Sequence, residues 1–222
     1  GAEQMVHILR TLSSLHPPDS MVFASTDVKN AFGNASRTLV INSVCKYLPA
    51  FAHIILPLWG SCPITLHMPV GYMEYESFEV VDGMFQGECL STAFFCFLLK
   101  DAINDFRSKI KALPHLASLK IHVLAYVDDA VVVCAKEHFP EVWKLWVDSL
   151  SLFKLPVVQH KCCTWIPGAV CIDSKIDTLA KQSLSGLPVL GSAAQGNFSS
   201  FLTSPLDGSP PSILALSPAA AP

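Results

Sequence analysis

Two adjacent carboxylates set between two mainly apolar runs constrain this chain more than any other feature. The tetrad Tyr126-Val127-Asp128-Asp129 follows the run 121–125 and precedes the run 130–135. Asp is disfavoured inside strands and favoured in turns, so the pattern predicts a β-hairpin with both carboxylates at its tip. Neighbouring carboxylates repel each other unless a cation lies between them, and their oxygens suit Mg²⁺. The alternative is a surface turn with two solvated Asp side chains.

A third carboxylate, Asp27, stands at the end of another short apolar run, 21–25. If that strand neighbours the hairpin in a sheet, Asp27 and the pair Asp128-Asp129 converge on one edge. Carboxylates placed in this way can hold two Mg²⁺ ions for phosphoryl transfer. One ion lowers the pKa of an attacking hydroxyl, and the other stabilises the leaving pyrophosphate. The simpler alternative makes Asp27 the N-cap of the helix that follows, and one side chain could serve in both ways.

Hydrophobic periodicity predicts a mixed order of helices and strands along the chain. Helices are expected over 2–15, 34–48, 50–59, 90–106 and 139–153. Strands are expected over 21–25 and 157–166, as a hairpin within 119–134, and as two or three antiparallel strands within 62–82. This order favours an α+β domain in which an antiparallel sheet carries helices packed on one face.

Composition narrows the class of protein. The 222 residues suffice for one domain or one and a half, and the net charge of −3 gives no global basic signal for nucleic acid. With 51% hydrophobic and 15% charged residues, the chain is apolar for a soluble domain, as a fragment with missing neighbours would be. No apolar run reaches the length of a membrane-spanning helix and no signal-peptide pattern is visible, so we expect an intracellular protein without a membrane partner.

The eight cysteines lie mostly inside apolar runs, where Cys behaves as a small hydrophobe. Reduced thiols are therefore expected. The cluster His160, Cys162, Cys163 and Cys171 lacks a paired Cys-x-x-Cys arrangement, which disfavours a zinc site. Beyond residue 196, Ser, Pro and Ala dominate and no Lys or Arg occurs, so 196–222 is expected to be a disordered or non-native tail on a domain formed by 1–195.

Several segments, in one order along the chain, resemble the palm motifs of reverse transcriptases, especially those of non-LTR retrotransposons. Asp27-Val28-Lys29-Asn30-Ala31-Phe32 resembles the first motif, and Gly83-Met84-Phe85-Gln86-Gly87-Glu88-Cys89-Leu90-Ser91 resembles the second, usually G-x-x-Q-G-D-P-L-S. The tetrad at 126–129 matches the third motif. Lys161 looks like the lysine of the fourth, and Leu187-Pro188-Val189-Leu190-Gly191-Ser192 is similar to the L-G segment that follows. The resemblance covers roughly residues 1 to 195.

The resemblance implies a polymerase palm with part of the fingers and without the thumb. Asp27 and Asp128 would be catalytic metal ligands for Mg²⁺, with Mn²⁺ as a possible substitute, and Asp129 would ligate or support them. Lys161 would lie near the leaving pyrophosphate as a charge stabiliser or general acid. A lone Lys is otherwise most often a solvated surface residue.

The resemblance also implies a nucleotide-binding set. The backbone at Val28 would contact the triphosphate, and Phe32 would act as a steric gate whose ring clashes with a ribose 2′-OH. The alternative is that Phe32 is an aromatic residue of the hydrophobic core. Gln86 and Gly87 would line the nucleotide and template side, where Gly87 allows close backbone approach. Tyr126 would lie under the primer end.

Two departures and three alternatives accompany this interpretation. Glu88 stands where the second motif usually has Asp, and Cys89 stands where it has Pro, which affects the geometry of the loop more than its carboxylate.

The expected function is RNA-templated DNA synthesis in the nucleus. Its partners would be an RNA template, a DNA primer, a dNTP and the missing fingers and thumb segments of the parent polyprotein. The alternatives are a truncated remnant that cannot polymerise, a non-catalytic nucleic-acid-binding or assembly module on a palm scaffold, and an unrelated α+β protein.

Overall fold

A five-stranded sheet forms the centre of the computed structural model, which describes residues 2–60, 64–72 and 74–187. The strands are β1 (Met21–Thr26), β2 (Ile64–Gly71), β3 (Glu74–Val80), β4 (His122–Tyr126), β5 (Asp129–Ala135), β6 (Cys163–Trp165) and β7 (Lys181–Ser183). The helices are α1 (Ala2–Leu15), α2 (Ala31–Asn34), α3 (Arg37–Tyr47), α4 (Ala52–Trp59), α5 (Ser91–Ala112), α6 (Pro114–Ala117), α7 (Phe139–Leu152) and α8 (Ser174–Asp177). Short 3₁₀ turns lie at Pro49–Phe51, Lys136–His138 and Gln159–Lys161. None of these described helices combines the length and the apolar character needed to cross a bilayer.

Strand β1 is the middle of the sheet, whose order is β4-β5-β1-β6-β7. It pairs antiparallel with β5 on one side and with β6 on the other, and β6 pairs parallel with β7. The residues from Met21 to Ala24 are all buried, as expected for a strand covered on both faces. The predicted strand at 21–25 and the predicted hairpin of β4 and β5 are confirmed. The prediction that both carboxylates lie at the tip of the hairpin is right for Asp128 and wrong for Asp129, which is the first residue of β5 and pairs with Tyr126.

The two faces of the sheet carry different cores. Val22, Ala24 and Val132 point to a large core that is built mainly by α3, α4, α5 and α7. Phe23 and Val133, one residue further along each strand, point to a smaller core that α1 closes with Met5 and Leu9. The prediction that helices pack on one face is therefore right for α3, α4, α5 and α7 and wrong for α1. Periodicity shows which side of a helix is apolar, but not which side of the sheet will receive it.

The region between α4 and α5 forms a separate two-stranded sheet. Strands β2 and β3 pair antiparallel from Ile64↔Val80 to Gly71↔Glu74, with an irregularity between Pro69 and Gly71. Within the described ranges, neither strand pairs with the five-stranded sheet. The prediction of two or three antiparallel strands in this region is confirmed with two.

The segment that follows α7 contains less strand than its sequence predicts. The predicted strand over 157–166 is wrong in extent, because Lys161 lies in the 3₁₀ turn Gln159–Lys161 and only Cys163–Trp165 is strand. Val157 instead forms an isolated bridge with Val28, which takes this part of the chain out of the sheet. The expected tail at 196–222 and most of the L-G segment, from Pro188 onward, lie outside the described residues.

Candidate active site

The register of the two central strands places two of the predicted carboxylates side by side. Thr26 and Ala130 are the last paired residues of β1 and β5 at one end of the sheet. Asp27 directly follows Thr26, and Asp129 directly precedes Ala130, so the two Asp backbones are neighbours at that end. Asp129 shares the strand face of Val131. The structure thus brings together segments that are far apart in the chain.

The turn between β4 and β5 holds the third carboxylate, Asp128. Tyr126 pairs with Asp129, so Val127 and Asp128 form a two-residue turn whose first member has a φ of 56°. Gly is the usual residue at such a position because a β-branched side chain is strained there. Backbone strain of this kind persists where the surrounding structure enforces it, and it is concentrated at functional sites. Both Asp128 and Tyr126 are exposed.

The pKa values of two cysteine thiols are shifted by the nearby carboxylates. Burial raises the pKa of the Cys162 thiol, and the negative charge of Asp27 raises it further. The Asp27 N–H donates to the Cys162 sulfur over 3.5 Å, and this hydrogen bond lowers the pKa. Partial desolvation raises the pKa of Cys96 on α5, and the charge of Asp128 adds to the increase. Asp27 therefore faces the segment before β6, whereas the Asp128 turn lies near the first turns of α5.

A second segment is held along the residues that follow β1. The Val158 N–H donates to the Asp27 carbonyl over 2.9 Å, and the Lys29 N–H donates to the Pro156 carbonyl over 2.8 Å. The Lys161 N–H donates to the Val158 carbonyl in the 3₁₀ turn that follows. These bonds bring the backbone of Lys161 to the same end of the sheet as Asp27, with the lysine side chain exposed. Asp27 does not cap a helix, since the N-cap of α2 is Asn30.

The loop that resembles the second motif is fastened at its start. The Arg37 guanidinium, which is only 2% exposed, donates to the Gly83 carbonyl through Nε over 3.3 Å and Nη2 over 3.2 Å. Its Nη1 donates to the Val80 carbonyl, and the Arg37 backbone N–H donates to Asp82. Gly83 has a φ of 86°, and a Cβ there would lie 2.4 Å from the Gly33 carbonyl oxygen. The Met84 N–H donates to the Phe32 carbonyl, so this loop and the residues after β1 form one unit.

The tip of that loop is open. Gln86 and Gly87 are exposed, and Gly87 has a φ of 93° with no other atom within 4 Å of the position that a Cβ would take. Gly87 is therefore required by its backbone conformation, and the space beside it is free for a ligand. The loop is closed by Ser91, which donates to Glu88 over 2.9 Å. Phe32 is partly buried and stacks on Phe95 with ring centroids 5.1 Å apart.

Metal-binding geometry is not preformed in the described part of the chain. Across residues 2–60, 64–72 and 74–187, no three His, Cys, Asp or Glu side chains form a group that could hold a metal ion. The oxygens of Asp27, Asp128 and Asp129 belong nevertheless to the hard donor class that Mg²⁺ and Mn²⁺ take. The register brings the backbones of Asp27 and Asp129 to one end of the sheet, with Asp128 in the adjoining turn, and these residues fit a magnesium site in donor chemistry.

Several residues around the site carry no recognisable sequence signal. Arg37 lies in a helical pattern, and nothing in that pattern predicts that its side chain is buried. Asp82 directly precedes a glycine turn, where Asp is common, so its sequence position does not reveal that it holds Arg37. The apolar stripe of the helix at 139–153 predicts that Trp146 is buried, but its Nε1 also donates to Thr26 Oγ1 over 2.8 Å in the core. This bond ties α7 to the last residue of β1, directly before Asp27.

Comparison with known proteins identifies the fold. No protein-family model matches the chain, and no curated protein is similar to it. Telomerase from Candida tropicalis, in complex with a TWJ fragment of telomeric RNA, matches with a TM-score of 0.59 at 17% identity, over 87% of this chain and 33% of that one. Apo telomerase from the same organism, truncated from its C-terminal domain, matches with a TM-score of 0.54 at 16% identity, over 73% and 34%.

The chain shares its fold with a telomerase and spans about a third of the length of these structures. The α+β architecture predicted from the sequence is confirmed at this level. The resemblance to reverse transcriptases, the division into palm, fingers and thumb, and the relation to non-LTR retrotransposons stay predictions.

Proposed function

We propose that this domain is the palm of a reverse-transcriptase-type polymerase, which joins a deoxynucleotide to a primer 3′-OH on an RNA template. The observation that carries the proposal is the register Thr26↔Ala130, which sets Asp27 beside Asp129 at one end of the sheet. The fold shared with telomerase, a reverse-transcriptase-related polymerase, supports the same class of reaction. The retrotransposon origin and the nuclear location belong to this proposal as well.

The chain's own residues would divide the work between metal binding and nucleotide binding. Asp27, Asp128 and Asp129 would hold Mg²⁺, and Mn²⁺ could replace it. When bound, the metal supplies Lewis-acid activation of the 3′-OH and charge stabilisation at the phosphates. Lys161 would place its exposed ammonium toward the leaving pyrophosphate, where a positive charge stabilises the developing negative charge.

The loop between β3 and α5 would form the nucleotide side of the site. The open space beside Gly87 would admit the base pair, with Gln86 next to it, and the Val28 backbone would contact the triphosphate. The ring of Phe32, supported by Phe95, would stand against the sugar and reject a 2′-OH. Tyr126 would support the primer end next to the turn that carries Asp128.

Primer extension tests the proposal directly. The longest natural reading frame that contains this chain is assayed on poly(rA)·oligo(dT) with dTTP and Mg²⁺. We expect Asp27→Asn and Asp128→Asn each to lower the extension rate by roughly a thousandfold or more, because each removes a metal-ligand charge from the reacting centre. The matched control is Asp148→Asn, which removes an exposed carboxylate from α7 and should leave the rate unchanged. Template-primer affinity is measured in parallel. Extension that survives both site substitutions overturns the catalytic assignment.

A second candidate is a non-catalytic palm that binds nucleic acid. It is favoured by the lack of a preformed three-residue metal group among the described residues. If the reading frame binds template-primer but gives no extension with either Mg²⁺ or Mn²⁺, this second function replaces the first.

A further inference from the structure

We propose that Arg37 is a positioning residue for the incoming nucleotide. Its buried guanidinium fixes the loop 83–88 against the segment that carries Phe32, and so sets the nucleotide affinity and the sugar selectivity of the site. This inference rests on the proposed polymerase function and gives Arg37 a role that the motif resemblance does not. Three observations carry it: the burial of the charge, the backbone atoms that it engages, and the contacts that join those atoms to Phe32.

The guanidinium of Arg37 is held in the interior although the residue stands at the start of a helix. Arg37 is the first residue of α3 and is only 2% exposed. Arg is almost never fully buried unless its donors are paired, and apolar residues in place of buried charges are often at least as stable. The burial of this charge is therefore best explained by the geometry that a planar set of donors imposes on its acceptors.

Arg37 holds the base of the loop through backbone atoms. Its Nε and Nη2 both donate to the Gly83 carbonyl, over 3.3 and 3.2 Å, and its Nη1 donates to the Val80 carbonyl over 3.4 Å. The Asp82 carboxylate accepts hydrogen bonds from the backbone N–H groups of Arg37 and Gly83. The end of β3 and the start of the loop are thus both tied to the first residue of α3.

The backbone held in this way lies against the segment that would face the sugar. The Met84 N–H donates to the Phe32 carbonyl over 2.8 Å, and a Cβ at Gly83 would lie 2.4 Å from the Gly33 carbonyl oxygen. Gly83 and Met84 are buried, whereas the loop tip at 86–87 is exposed. The guanidinium therefore sets the separation between the Phe32 backbone and the open tip, the two sides of the proposed nucleotide pocket.

Loosening the base of the loop predicts a specific kinetic effect. A loop that is no longer held samples positions in which the pocket is not formed, and the apparent dissociation constant rises by the inverse of the competent fraction. Once the nucleotide is bound, the loop is in place and the carboxylates act as before, so KM changes much more than kcat. A less constrained pocket also separates deoxyribose from ribose less well.

The experiment compares the steady-state kinetics of Arg37→Lys with those of the unmodified protein. The longest natural reading frame that contains this chain is assayed on poly(rA)·oligo(dT) with Mg²⁺ and either dTTP or UTP. Lys keeps the positive charge but lacks the fixed fork that holds two carbonyls. We expect KM for dTTP to rise about tenfold, the equivalent of one charge-assisted hydrogen bond, and kcat to stay within about twofold. The preference for dTTP over UTP should fall about tenfold by the same reasoning.

A second site variant and two controls separate positioning from general stability. Asp82→Ala, at an exposed position, releases the base of the loop from the other side and should also raise KM. Arg107→Lys makes the same exchange at an exposed position of α5 and should leave both constants unchanged. Ile176→Val removes a buried methyl group from α8, so it should lower the melting midpoint without raising KM.

Three kinetic results overturn the proposal. The first is an unchanged KM and an unchanged preference for dTTP in both Arg37→Lys and Asp82→Ala. The second is a fall in kcat at constant KM, which would mean that Arg37 acts on the carboxylates instead of the nucleotide pocket. The third is an equal rise in KM for Ile176→Val, which would make the effect one of general stability.

Hydrogen exchange distinguishes a failure of this inference from a failure of the proposed function. If the unmodified reading frame does not extend the primer, the polymerase function fails, but exchange of the Gly83 and Met84 amides in the 222-residue chain still shows whether Arg37 holds the loop. We expect these amides to exchange about tenfold faster in Arg37→Lys, beyond any change in the β5 amides, which measure global unfolding. Equal exchange in the two proteins overturns the positioning role.

Discussion

Thr26 is the residue through which the helical layer reaches the candidate site. Its hydroxyl accepts the hydrogen bond from Trp146 Nε1, and both side chains are buried, at 1% and 0% exposure. Because Thr26 is the last residue of β1 and Asp27 comes next, the bond holds the end of β1 against α7. The apolar spacing of α7 predicts the burial of Trp146, but a polar partner on a distant strand leaves no trace in that spacing.

Replacement of this hydroxyl by a methyl group measures the bond. Thr26→Val keeps the shape of the side chain but leaves the Trp146 N–H buried without a partner, so we expect a loss of about 1–3 kcal/mol in the free energy of unfolding. The measurement is denaturant unfolding at equilibrium. In a Trp146→Phe background, which has no indole N–H that could lose its partner, Thr26→Val should cost much less. Equal costs in the two backgrounds would show that the hydrogen bond contributes nothing.

Helices α3 and α5 are joined by a carboxylate network away from the candidate site. Asp101 on α5 accepts hydrogen bonds of 2.6 Å from Ser43, Lys46 and Tyr47 of α3. Burial pushes the pKa of Asp101 upward, but the hydrogen bonds from Lys46, Ser43 and Tyr47 outweigh it, so the pKa lies below its ordinary value. These bonds favour the ionised carboxylate and make α3 and α5 act as one layer against the sheet.

The network gives the fold a dependence on acid pH. Because the pKa of Asp101 is lower in the folded than in the unfolded chain, its stabilisation is complete above the unfolded value of about 3.9 and is lost as pH falls through the folded value. We expect Asp101→Asn to lower the free energy of unfolding by about 2 kcal/mol at pH 7, with the difference from wild type shrinking below about pH 4. Thermal unfolding across this pH range is the test. Asp148→Asn, at an exposed position, provides the control, and a pH-independent difference would refute the assignment.

At the scale of the whole molecule, the sequence predicts those parts of the fold that depend on local patterns. The hairpin of β4 and β5, the strand before Asp27 and the long helix α5 each follow from periodicity and turn residues. The pairing of β1 with β5 could be expected only from the motif resemblance, in which the carboxylates after the apolar runs at Asp27 and Asp128 belong to one site. The side of the sheet taken by α1 and the burial of Arg37 could not be predicted, because both depend on surfaces that other segments create.

The 3₁₀ turn at Lys161 shows a related limit. The apolar and β-branched residues around it have strand propensity, but the edge of β1 that would receive them is available only up to Ser25. Beyond that point the chain leaves the sheet, and Val28 forms an isolated bridge with Val157. Tertiary pairing therefore overrides local propensity here, as it often does for short strands.

The two sheets are expected to unfold independently of each other. Strands β2 and β3 pack mainly on one another, and their base is held by the Arg37 bond to the Val80 carbonyl. If residues 65–79 are replaced by a four-residue Gly-Ser linker, the paired ends Ile64 and Val80 remain close, and the melting midpoint should stay within about 4 °C of wild type. Calorimetry checks this, and a loss of the cooperative transition would show that the hairpin is part of the main core.

The central position of β1 has a consequence for the synthesis of the protein. Both strands that flank β1 come later in the chain, and β5 begins about a hundred residues after β1 ends. At typical elongation rates the ribosome needs about 5–20 s to make that stretch, and during this time β1 has two unpaired edges and no candidate site exists. We therefore expect a nascent chain that depends on chaperones until both β5 and β6 have emerged and paired with the two edges of β1.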